Sequence, residues 1–244
     1  FLGNMQFCQL CRSDPNNLLS GRNVKRYAIP TVKKYLIFLP KGITDKMRSD
    51  QGPEEWLCSQ YPAIAEHLAQ FEEKASKRKD KGDYWWELRS CRYYEEFEKT
   101  KIICPTIVKL ISATIDTNGL FSNDKTSIIA SGDFYLLGLL NSSLMDFYMR
   151  RICTELLNEH YEVKPANLAV LPIKKISPTN SFHVNLKTEI ENGAMALSKL
   201  CSMPEKERSD KINADIREAE RAVNRAVGRL YRLTPAEISL LENY

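Results

Sequence analysis

No stretch of the chain approaches the roughly 20 consecutive apolar residues that a membrane-spanning helix needs. No basic-then-apolar leader of the secretory kind is visible either. The sequence has only three histidines, His67, His160 and His183. None shares a spacing with a carboxylate pair or a cysteine cluster, as a metal centre or a catalytic triad would require. Its 11 prolines never adjoin one another, and no HExxH occurs. No glycine-rich loop follows a first strand to cradle phosphate or a nucleotide cofactor. Glu72-Glu73-Lys74 matches the tail of a nuclease-type Glu-x-Lys, but it falls on an expected helix, where a surface ion pair explains it. These absences point to a chain that does no covalent chemistry itself.

Cysteine is present but scattered. Seven cysteines, an odd number, read as reduced thiols of a cytosolic protein. Cys8 and Cys11 have zinc-like spacing, yet a structural zinc needs about four ligands and no second pair follows, so a chance pair is the better reading. Cys58, Cys91, Cys104, Cys153 and Cys201 are expected to be buried singly.

What is there is a chain of 244 residues, 43% hydrophobic and 27% charged, ordinary values for a soluble globular protein. It begins at Phe1 rather than Met, so it reads as a piece of something longer. The net charge of +4 is unevenly placed. Residues 1–50 hold nine Lys or Arg against three Asp, an excess of +6, which leaves −2 for the rest. A basic N-terminal edge suits a polyanion, although a charge run also serves simply as a solvated face.

The densest stretch runs from Tyr84 to Pro105. It packs two Trp, three Tyr and four basic residues into 22 positions. Aromatic faces stack on bases, and Arg and Lys meet phosphates and base edges. The same composition also suits a core strand with a decorated rim, since most Trp and Tyr are simply partly buried.

Along the chain, Ser13 to Asn17 has loop composition. Lys34 to Leu39 is β-branched and aromatic, bounded by Pro40 and Gly42, and predicts a strand. Pro62 opens a helix with Ile64, Leu68, Phe71 and Ala75 on one face. The cations and glycine of Lys77 to Gly82 end it. Strands are predicted at Lys101 to Val108, Leu110 to Ile115 and Ser127 to Ala130. Asp133 caps a helix carrying Leu137, Leu140, Leu144, Phe147 and Arg151. Glu159 to Pro165 is a short strand or loop, and Pro165 to Leu171 one helical turn or two. After Ser177 the chain turns helix-rich, with breaks expected at Gly193 and Met203-Pro204. Ile212, Ile216, Ala219, Val223, Ala226 and Leu230 make an amphipathic helix, and Thr234-Pro235-Ala236-Glu237 is a capping box. That apolar stripe docks either on this chain or on a partner.

Several segments together resemble a known family. Trp85-Trp86-Glu87-Leu88-Arg89 and then Tyr93-Tyr94-Glu95-Glu96-Phe97-Glu98-Lys99-Thr100-Lys101-Ile102-Ile103-Cys104-Pro105 resemble the TaqI-like C-terminal specificity domain. So do Leu19-Ser20-Gly21-Arg22-Asn23-Val24-Lys25-Arg26-Tyr27, Leu139-Leu140-Asn141-Ser142-Ser143-Leu144, Leu171-Pro172-Ile173, and Leu230-Tyr231 with Leu233-Thr234, Glu237 and Ile238. Each is weak alone; their shared order carries the resemblance.

The resemblance implies the target-recognition part of an adenine-specific DNA methyltransferase or of a single-chain, type IIG restriction-modification enzyme. The expected fold is α+β: a target-recognition domain with a mixed or antiparallel sheet over residues 1–176, and a C-terminal helical segment over residues 177–244 packed on it. The expected partners are double-stranded DNA and an N-terminal methyltransferase domain of the same parent chain. The expected location is the cytoplasm of a bacterium or archaeon. No cofactor is expected in this piece. S-adenosylmethionine, and the Asn/Asp-Pro-Pro-Tyr/Phe loop that holds a flipped adenine, belong to the missing domain.

Arg22, Lys25, Arg26, Tyr27, Trp86, Arg89, Arg92, Lys99 and Lys101 are the candidate DNA contacts. Arg suits bidentate pairing with guanine, and Lys suits phosphate. Alternatively these motifs are scaffold, and specificity sits on loops such as Lys41 to Gly52 and Asn118 to Lys125. A reading of another class is a helical protein–protein interaction module with no nucleic-acid role.

Overall fold

The structure, a computed structural model, describes residues 17–28 and 34–242. Cys8, Cys11 and the loop expected at residues 13–16 lie outside these. The chain forms two compact units, one built from residues 1–17 and 34–95, the other from residues 18–33 and 96–244. The helical segment expected over residues 177–244 falls within the second unit. The C-terminal helices share a single core with residues 96–176.

The first unit is helical. It holds α1 (Ile43–Met47), α2 (Pro53–Gln60), α3 (Pro62–Ala69) and α4 (Glu72–Ser76). Proline opens α2 and α3 at no hydrogen-bond cost. Leu39, Trp56, Leu57, Tyr61 and Trp86 form its core. The single helix expected from Pro62 breaks at Gln70-Phe71. The cationic end behaves as expected, with Lys81 Nζ donating to the Ser76 carbonyl at 2.6 Å. The strand expected at Lys34 to Leu39 does not form. Among the described residues Tyr35 makes a single antiparallel bridge there, to Asn17.

The second unit is α+β. Its strands are β1 (Leu18–Leu19), β2 (Lys101–Pro105), β3 (Ile107–Val108), β4 (Thr114–Asp116), β5 (Phe121–Ser122), β6 (Thr126–Ile129), β7 (Thr154–Glu155) and β8 (Tyr161–Glu162). They make three small sheets. β1 pairs parallel with β5, β2 lies antiparallel between β4 and β6, and β8 lies antiparallel between β3 and β7. The strand expected at Leu110 to Ile115 shrinks to β4 for a clear reason. The N–H groups of Ile111 and Ala113 are captured by the side chains of Asp146 (2.9 Å) and Asn141 (2.8 Å) instead of a strand.

Asp133 caps α5 (Phe134–Leu140) by accepting from the Tyr135 N–H at 2.8 Å. The helix expected to continue to Arg151 restarts at Ser142, whose side chain caps α6 (Ser143–Ile152). After α7 (Pro165–Ala169) come the long helices α8 (Ser181–Cys201) and α9 (Asp210–Leu230), then α10 (Pro235–Glu242). α8 packs on both α5 and α9. The break expected at Gly193 is absent. There α8 runs so close to α9 that a Cβ on Gly193 would lie 2.4 Å from Val223 Cγ2, so glycine serves contact between helices. The stripe on α9 is spent inside this unit, with Val223, Ala226 and Leu230 buried. Thr234 and Glu237 make the expected capping box, the Thr234 N–H donating to the carboxylate at 2.7 Å. No described helix is long and apolar enough to cross a membrane.

Candidate nucleic-acid interface

The segment from Ser20 to Tyr27 is a tight turn followed by an anchor. Asn23 Oδ1 accepts from the Ser20 N–H at 3.2 Å and closes the turn. Gly21 presses against the backbone of Lys125, whose carbonyl oxygen would sit 2.4 Å from any Cβ. This close approach sets the Arg22 turn beside the loop that joins β5 to β6. Arg22 and Lys25 are exposed, with no ion-pair partner among the described residues. Arg26 is half-buried. It donates to the Asn141 carbonyl and stands 3.8 Å from Glu220. Tyr27 is buried, with a left-handed backbone (φ 61°) and its N–H on the Ala113 carbonyl at 3.0 Å. Burial pushes its phenol up to about 12. The proposed DNA contact at Tyr27 is therefore corrected: the ring is core.

The Trp-Trp-Glu-Leu-Arg motif lies in the first unit, and its central Trp86 and Glu87 are buried. Trp86 is buried, stacks on Tyr84 at 5.0 Å, and donates from Nε1 to Thr44 Oγ1 at 3.0 Å. It too leaves the contact set, since a ring spent in the core offers no face to a base. Glu87, 0% exposed, accepts from the N–H groups of Gly42, Thr44 and Asp83 at 3.0, 3.0 and 2.9 Å. A buried carboxylate is tolerable when backbone donors surround it in this way. Trp86 and Glu87 together hold the start of α1, hence the loop from Lys41 onward. Arg89 and Arg92, which follow, are exposed and without an ion-pair partner among the described residues.

A second buried charge does the same in the other unit. Lys101, expected to face DNA, is 0% exposed. Its ammonium donates to Asp116 Oδ2 and to the Phe97 carbonyl, both at 2.5 Å. Asp116 in turn accepts from the N–H groups of Asn118 and Leu120, both at 2.8 Å. Lys101 is thus corrected from contact to scaffold. It fixes the start of the Asn118 to Lys125 loop. Lys99 is exposed and pairs with Glu96 at 2.7 Å.

The other motifs lock onto one another. Asn141 exchanges two hydrogen bonds with the Ala113 backbone, at 2.8 and 2.9 Å, while its own carbonyl receives Arg26. The Tyr231 hydroxyl donates to the Pro172 carbonyl at 2.6 Å and accepts from the Lys174 N–H at 3.1 Å. Tyr135 closes the same corner by donating to the Lys174 carbonyl at 2.7 Å.

Two exposed cations were missed from the sequence. Arg217 and Arg221, one helical turn apart on α9, line a cleft of about 290 Å³ with Arg26, Asn141 and Glu220. Their i, i+4 spacing was the available signal, but it was read only as the polar side of an amphipathic helix. Among the described residues no group of three or more His, Cys, Asp or Glu is placed to hold a metal ion.

Short strands, side-chain-locked loops and a helical buttress make an α+β fold, and the family comparison gives its class, a specificity domain. More particularly, residues 16–173 match the TaqI-like C-terminal specificity domain, and the chain belongs to that family. A solved structure of the Type IIL restriction-modification enzyme MmeI, in complex with DNA, has a similar fold. Its TM-score is 0.62 at 15% identity, over 96% of this chain. The chain spans 31% of the length of that protein. No curated protein sequence matches.

Proposed function

We propose that the chain is the DNA-recognising part of an adenine-specific DNA methyltransferase or type IIG restriction-modification enzyme. Family membership over residues 16–173 carries this reading. The MmeI structure, solved with DNA, supports it through a shared fold. Each unit contributes exposed or half-exposed cations from the motifs. Arg22, Lys25, Arg26 and Lys99 come from the second unit, Arg89 and Arg92 from the first. Phosphate contacts position such a domain, while base-edge contacts specify the site. The parent's methyltransferase domain supplies S-adenosylmethionine chemistry to an adenine rotated out of the stack. That chemistry needs the Pro-Pro loop and a cofactor loop, both missing from this sequence. The setting proposed is the cytoplasm.

Fluorescence anisotropy with mixed-sequence duplex at low salt tests the reading. Binding that weakens as salt rises supports it; no binding overturns it. The alternative of a helical interaction module loses its surface, since the α9 stripe is buried in the chain's own core.

A further inference from the structure

The loop from Lys41 to Gly52 is held far more firmly than a solvent loop needs. Taking a carboxylate out of water is unfavourable on general grounds. Yet Glu87 is wholly buried beneath this loop, gripping the Gly42 and Thr44 N–H groups. Thr44 is buried as well and receives Trp86 Nε1. Gly42 takes the left-handed conformation (φ 80°) that lets the chain enter α1, and Ser49 takes it again on leaving (φ 50°). Between these points Asp45 Oδ1 accepts from Arg48 Nε at 2.7 Å and from the Tyr84 hydroxyl at 2.8 Å. Arg48 also donates to the Gln51 carbonyl at 2.8 Å. A left-handed non-glycine residue is strained, and persists where the surroundings over-determine it.

What the clamp presents is chemically specific. Of the loop's cations, Lys41 is engaged by Asp83 at 3.1 Å and Arg48 by Asp45. Lys46 alone is exposed with no partner among the described residues. Beside it Met47 is 43% exposed. Asp45 and Asp50 flank the pair, so the loop is a poor grip for a phosphate backbone. Lys46 offers an exposed ammonium donor and Met47 an exposed apolar tip on successive positions of α1, the two kinds of group that the major-groove edges of base pairs accept. Guanine N7 and O6 accept from Lys, and the thymine methyl takes an apolar contact.

We infer that the loop from Lys41 to Gly52 is a base-reading element, with Lys46 and Met47 as the reading residues and Glu87 as the positioning residue beneath them. The inference rests on the DNA-recognition reading above and assigns specificity to a part of the chain that its family motifs only support.

Selection of duplexes from a randomised library at low salt tests it, with the wild-type chain beside Lys46→Ala and Met47→Ala. Both changes are on exposed side chains. The expected result is that wild type enriches a motif and that each variant loses preference at one or two of its base pairs, by about tenfold. Affinity for unenriched duplex should stay within about twofold, with the salt slope unchanged, since a phosphate contact would instead flatten that slope by about 1. An unaltered motif in both variants overturns the inference, as does uniform weakening with a flattened slope. A wild-type chain that binds duplex but enriches nothing overturns the inference and leaves the DNA-binding reading standing. A chain that binds no duplex overturns both.

Discussion

Lys101 offers a sharp perturbation, because sequence and structure assign it opposite roles. The sequence places it in a basic, aromatic run suited to DNA; the structure buries it completely against Asp116. Lys101→Met keeps most of the aliphatic stem and removes only the charge. It strands the Asp116 carboxylate, 0% exposed, with the Asn118 and Leu120 N–H groups as its remaining donors. Breaking a buried pair by removing one partner typically costs about 3–5 kcal/mol. The two surviving backbone donors place the expected loss near the lower end, about 3 kcal/mol. Urea unfolding followed by far-UV circular dichroism measures it. Since the pair anchors the Asn118 to Lys125 loop, amide exchange should quicken there before it does in α8. A Lys101→Met chain that unfolds at the wild-type urea concentration, yet loses DNA affinity, would refute the reasoning and return Lys101 to the contact surface.

Other perturbations follow from burial and from missing motifs. Val223→Asp or Leu230→Asp buries an unpaired charge in the α8–α9 core and should cost on the order of 3 kcal/mol by urea unfolding; unchanged melting would mean that the stripe is exposed. Tyr27 is neutral in the folded chain up to about pH 12, whereas an unfolded tyrosine ionises near 10. Its contribution is therefore intact below pH 10 and lost as pH rises from 10 to 12, by roughly 2–3 kcal/mol at most, so Tyr27→Phe should lessen the drop in urea stability between pH 9 and pH 11.5. The purified chain should transfer no label from S-adenosylmethionine to DNA, and transfer above background would contradict the assignment of catalysis to the parent's other domain.

Much of the helical structure was legible because its signals are local. Asp133 and the Thr234 to Glu237 box form the caps their residue types predict. The 4-3-4 stripe on α9 was visible because one face must be apolar to be buried. The strands were harder, since side chains far along the chain took their hydrogen bonds: Asp146 and Asn141 on the Leu110 to Ala113 backbone are the plainest case. The same limit governs the site. Trp86, Tyr27 and Lys101 belong to residue types that both read DNA and build cores. Only the fold shows that Thr44, Ala113 and Asp116 lie within reach to claim them. Arg22, Lys25, Arg89 and Arg92 remain outside, and nothing in their local sequence distinguished them from Lys101.

The central proposal is that the chain binds a DNA duplex through exposed cations such as Lys25, and the salt dependence of binding tests it most directly. Affinity for non-cognate duplex should lie at about 10⁻⁴–10⁻⁶ M near physiological salt. The log–log plot against salt should fall by about 0.9 for each phosphate contact. Lys25→Ala should flatten that slope by about 1 while weakening all duplexes alike. Binding that is absent at low salt, or indifferent to salt and to Lys25→Ala, would contradict the account.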